Sequence, residues 1–202
     1  MRAYELTLVV LGVALPGATA ESPELPSPAD VKVYVRGAVL VPPAELRAAE
    51  ATAGTLFTRM NVRITWIEGK PAIADASNSE VVLQVRFQRE PREACSSDAL
   101  AYAKPFLRGR KTITVLLDRV RRVAGGTCSE QCVLGYILAH EIAHTLQRTN
   151  DHATTGVMKA VWDRQDNTAM ASGLLDFTPA DVELIRLGLI TPSPATNPRR
   201  PH

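Results

Sequence analysis

The chain has 202 residues, which at roughly 150 per domain leaves room for one domain with extensions and excludes two full ones. Its 46% hydrophobic and 22% charged residues can build a real core, so a disordered chain is excluded, and 3 Cys are too few for a small disulfide scaffold. Lys and Arg total 23 against 21 Asp and Glu, a formal charge of +2, so no nucleic-acid partner is expected.

Arg2 precedes the apolar run from Leu6 to Leu15, and Ala18 and Ala20 then form a small-x-small pattern. This predicts a signal peptide over 1–20, a secreted or periplasmic protein, and access to disulfide chemistry. No later apolar run approaches the 18 or so residues that span a bilayer, so no stable membrane association is expected after cleavage. Residues 21–29 read as a Pro-rich linker and 191–202 as a flexible Pro-rich tail, leaving one folded domain over 30–190.

Within that domain Val31, Val33 and Val35 alternate with Lys32, Tyr34 and Arg36, the pattern of a half-buried strand. Pro42-Pro43 opens a helix in which Leu46, Ala49, Ala53, Leu56, Phe57 and Met60 form one stripe. Three further strands are predicted around Val62, Ile64 and Trp66, around Val81, Leu83, Val85 and Phe87, and around Ile113, Val115 and Leu117. Strand, helix and strand in succession imply a right-handed crossover between parallel neighbours, hence an α/β domain. Ala99 to Ala103 is a weaker strand, and Pro105 suits it to an edge. A long helix is predicted from Ser129 to about Arg148, and a C-terminal helix starts at Thr178-Pro179 and stops at Gly188.

The long helix contains His140-Glu141-Ile142-Ala143-His144. Residues four apart share a helix face, so both imidazoles can bind one metal ion with Glu141 beside it. Neutral nitrogen ligands suit Zn2+, and a carboxylate next to the open coordination position can take the proton of a bound water as that water attacks a carbonyl. Of 4 His, a third, His152, follows soon after the helix and can supply the third ligand.

HEIAH, a nearby third ligand and then Thr155-Gly156-Val157-Met158 resemble the metzincin zinc metallopeptidases, and more narrowly small exported bacterial proteins with HEIxH followed by TGxM. The resemblance implies a single-domain twisted mixed sheet above an active-site helix, an antiparallel edge strand that binds extended peptide, and a C-terminal helix. It makes His140, His144 and a third residue the metal ligands, Glu141 the base, and Met158 a Met-turn residue beneath the metal. The implied activity is a zinc-dependent endopeptidase acting as a monomer on a peptide or protein substrate. The alternatives are a binding or structural protein on the same scaffold and a zinc hydrolase of a non-peptide amide. Two positions depart from the metzincin motif: Gln147 stands for its glycine and Asn150 for its third ligand. His152 is therefore the expected ligand, reached if the helix runs on a turn and stops at a left-handed Asn150, with Asp151 as the runner-up.

Tyr102 and Trp162 are expected to pack rather than react, Tyr102 being also a possible oxyanion donor. The basic run Arg119 to Arg122 reads as a solvated loop. A bridge is expected between Cys95 and either Cys128 or Cys132, because residues four apart at a helix start rarely satisfy disulfide geometry.

Overall fold

The structure is a computed structural model and describes residues 28–71, 81–91, 99–103, 111–125 and 127–191. The predicted signal peptide, most of the Pro-rich linker and tail, and Cys95 lie outside the described residues.

The first strand, β1 (Ala29–Arg36), leads through a 3-10 turn at Ala38–Leu40 into α1 (Pro43–Thr58), with Pro at the helix start where its missing N–H costs nothing. The chain then forms β2 (Val62–Glu68), β3 (Val81–Gln88), the short β4 (Ala101–Ala103) and β5 (Lys111–Leu116). The sheet order is β2-β1-β3-β5-β4. Every pair is parallel except β4 with β5, so the sheet is mixed and β4 is its antiparallel edge. As the crossover rule requires, β1 and β2 are parallel neighbours, with Val31 opposite Ile64 and Val33 opposite Trp66.

Val33, Leu83 and Val85 in the middle of the sheet are almost wholly buried, each side chain stabilising the fold by about 1.5–3 kcal/mol. Tyr34 and Gln84, on the opposite face, are buried too, as central parallel strands require. The apolar stripe of α1 joins that core through Ala49, Ala53, Leu56 and Phe57.

Four helices follow β5: α2 (Leu117–Val123), α3 (Glu130–Gln147), α4 (Arg164–Ala171) and α5 (Pro179–Ile190). Two of them depart from the expected order. Leu117 starts α2 instead of extending the strand, because Leu117 and Val120 bury one helical face while Asp118 and Arg121 sit at the favourable ends of the helix dipole. The basic run is therefore helical: Arg121 pairs with Asp118 and Glu130, and Arg119 donates to the carbonyl of Ala99. The helix α4 was hidden by its polar composition, but Asp163 and Asp166 cap it reciprocally.

The long helix ends where expected, but the end of the C-terminal helix and the left-handed residue after α3 are corrected. Helix α5 runs through Gly188 to Ile190, and the glycine serves close approach: a Cβ there would stand 1.8 Å from the carbonyl oxygen of Leu146. That crossing stops α3 at Gln147. The left-handed residue is Arg148, φ 59°, not Asn150. Its guanidinium donates to the carbonyls of Gly188 and Thr191, so tertiary bonds hold a conformation that glycine would take freely.

Candidate metal centre

His140, Glu141 and His144 are all buried on α3, while His152 is exposed in the loop that follows. The Nε2 of His144 lies 2.9 Å from that of His140 and 3.2 Å from that of His152, and the ligand atoms of the three residues fall within 4.8 Å of one another. Three nitrogens about 2.05 Å from a tetrahedral zinc would be about 3.3 Å apart, so the spacing suits that ion.

Backbone carbonyls orient two of the rings. The Nδ1–H of His140 donates to Val157 O at 2.8 Å, and that of His144 to Thr149 O at 3.0 Å. Each Nε2 is then left with a bare lone pair, and lone pairs this close repel unless a cation lies between them. Burial, together with the neighbouring imidazoles, pushes His140 down to about 3 and His144 down to about 4, which keeps both neutral, the form that binds metal.

Glu141 stands next to this cluster without being part of it. Burial pushes its carboxyl up to about 8, opposed by a hydrogen bond from the backbone N–H of Ala103 on β4. The edge strand β4 and the helix α3 thus meet at this carboxylate.

The loop after α3 returns beneath the site. Ala153 N–H donates to Met158 O at 2.9 Å, Val157 N–H donates to Asp176 O at 3.0 Å, and both Val157 and Met158 are fully buried. Gly156 makes the turn with φ 77°, where a Cβ would come 2.6 Å from Asp176 O. Met158 therefore belongs to the turn that orients His140 through Val157.

Of the three candidates for the third ligand, His152 alone joins the cluster. The carboxylate of Asp151 accepts the hydroxyl of Thr149 at 2.8 Å, and Asn150 is exposed at the cleft.

A cleft of about 770 Å³ opens at the histidines, lined by Ala101 and Tyr102 of β4 and by Val161 and Trp162 of the loop before α4. Trp162 packs against the core, as expected, and also lines the cleft, its ring at right angles to that of His140 with centroids 5.6 Å apart. Tyr102 is half-buried and also lines the cleft. No sequence signal pointed to Trp162, to the Ala103 amide, or to the Val157 and Thr149 carbonyls; three of these four act through the backbone.

The disulfide joins Cys128 to Cys132, not to Cys95. Cys128 precedes the extended N-cap Ser129 and forms an isolated bridge with Gly125, so the two cysteines are not both on regular helix. Their Cα atoms are 5.8 Å apart, within the range a bridge spans.

No protein-family model and no curated protein matches the chain. Among solved structures it is similar to archaemetzincin from Methanopyrus kandleri, with 13% identity over 83% of this chain and 99% of that one and a TM-score of 0.49.

Proposed function

We propose that the chain is a zinc-dependent endopeptidase. The observation that carries this reading is the convergence of three imidazole nitrogens beside a buried carboxyl at the floor of an open cleft. His140, His144 and His152 would hold zinc, and Glu141 would act as the base. Zinc in such a site lowers the pKa of a coordinated water and polarises a substrate carbonyl.

The other steps belong to the chain itself. Glu141 is placed to accept a proton during attack on the scissile carbonyl and to return it to the leaving amine. The Ala103 N–H holds the carboxylate and favours its charged form.

The geometry of β4 supports a peptide as substrate. The Leu116 N–H donates to Leu100 O, and bonds alternate along an antiparallel pair, so Leu100 and Tyr102 bond inward to β5. Ala101 and Ala103 therefore direct their backbone groups away from the sheet. Ala103 uses its N–H on Glu141, while those of Ala101 meet no backbone partner among the described residues and are open to an extended chain. A monomer acting outside the cytoplasm completes the reading and rests on the sequence alone.

The test is metal analysis with a proteolysis assay. One zinc per chain is expected, with cleavage of an unfolded protein such as casein that a chelator abolishes and zinc restores. Zinc without cleavage would remove the peptidase reading, and no metal would remove the site.

A further inference from the structure

One side of the cleft is apolar and comes from two helices. Val133 and Ile137 are buried on α3, the latter one turn before His140, and Val123 ends α2 with 53% of its surface exposed. Leu100 borders the same space. An exposed valine at the mouth of a cleft over a metal site offers area to whatever enters.

The attachment of this wall is unusual. Val133 lies in the first turn of α3, and Ser129 at its N-cap makes no side-chain hydrogen bond to that turn. Such a helix start frays easily, because its first amides lack partners. The start of α2 is anchored in the core by Leu117 and Val120, but beyond Val120 its end, with Val123, is tied to α3 by the exposed Arg121–Glu130 pair, worth about 0–1 kcal/mol, and by the Gly125–Cys128 bridge. The Cys128–Cys132 bond spans this junction, joining the residue before the N-cap to the third residue of the helix.

We propose that the Cys128–Cys132 disulfide is a positioning element for substrate: it fastens the uncapped start of α3, and so holds Val123 and Val133 as the wall that receives an apolar side chain flanking the scissile bond. The inference rests on the zinc peptidase reading and adds to it the side-chain class that the site selects and the covalent bond that enforces the selection.

The test uses the zinc-loaded protein and two peptide hydroxamates that differ only in one side chain, methyl or isobutyl, with affinity measured by calorimetry. The wild type should prefer isobutyl by about tenfold or more, as expected when an apolar pocket gains several carbons. In Cys128→Ser/Cys132→Ser the preference should fall by about fivefold while zinc stays at one per chain. Val123→Ala, at a half-exposed position that leaves the fold intact, should lower the same ratio with the disulfide in place. An unchanged ratio in Val123→Ala, or a double serine variant that folds and keeps the preference, overturns the proposal. So does an equal loss for both compounds, which would make the bond a general stabiliser. If both compounds bind the wild type equally, this inference alone fails; if neither binds, the zinc reading fails and takes the inference with it.

Discussion

The Nδ1–H of His140 donates to the carbonyl oxygen of Val157 at 2.8 Å, and Val157 is the residue before the buried Met158. The turn that carries the methionine thereby fixes the tautomer of a proposed metal ligand from 17 positions away. His144 is oriented by Thr149 from its own side, so two of the proposed ligands depend on two separate loop carbonyls.

The third ligand gives the sharpest expectation. His152→Ala should weaken zinc binding by more than the roughly 10–100-fold that loss of an outer hydrogen-bond partner costs. Asp151→Ala should cost little, since its carboxylate is engaged by Thr149, and Asn150→Ala less still. Zinc affinities of the three variants decide the matter, and retention of metal by His152→Ala would exclude His152 as a ligand.

Glu141→Gln should keep one zinc per chain and lose cleavage by about 10²–10⁴, the usual contribution of a general base. The amide retains shape and an acceptor for the Ala103 N–H but cannot take a proton. Parallel measurement of metal content and rate on casein separates this from a ligand defect. Equal rates in the two proteins would remove Glu141 from the chemistry.

The sequence disclosed the parts of this site that depend on regular spacing. The i, i+4 histidines on α3 follow from helix geometry, and the strand–helix–strand order fixed β1 beside β2. His152 was expected on its chemistry, against the spacing of the metzincin motif, and the structure brings it into the imidazole cluster. The path to it was not legible: the expected stop at Asn150 ignored α5, whose Gly188 meets Leu146 from far along the chain and leaves Arg148 to take the turn. The disulfide was misassigned because the spacing of four was judged by helix geometry, although Cys128 lies in the extended segment before the N-cap and comes within bridging distance of Cys132. Trp162 reached the cleft through a loop that no periodicity describes.

Metal-free protein should show the cost of burying Glu141. Its carboxyl is raised from the ordinary 4.5 to about 8 by burial, so between these values the folded state holds more protons than the unfolded chain. Stability therefore falls as pH rises through that window, because the carboxyl must ionise where burial leaves it little contact with water. In excess chelator, the urea midpoint of the wild type should drop relative to Glu141→Gln between pH 5 and pH 9. Zinc should narrow the gap, since a nearby cation favours the carboxylate. A gap that does not change with pH would mean that Glu141 is not desolvated in the folded protein.

The crossing of α5 over the end of α3 can be tested away from the chemistry. Gly188→Ala places a methyl where only 1.8 Å separates it from the carbonyl oxygen of Leu146, and backbone cannot yield as a flexible side chain would. The helices must move apart, which should cost at least the 1–3 kcal/mol or so typical of overpacking. Because the Arg148 guanidinium bonds to the carbonyl of Gly188 itself, the shift should reach the loop that carries Thr149 and His152. Weaker zinc binding should accompany the lower stability, although residue 188 is no ligand. Gly188→Ala with an unchanged urea midpoint would show that α5 does not set the end of α3, and a destabilised variant with full zinc affinity would show that the loop is held independently of it.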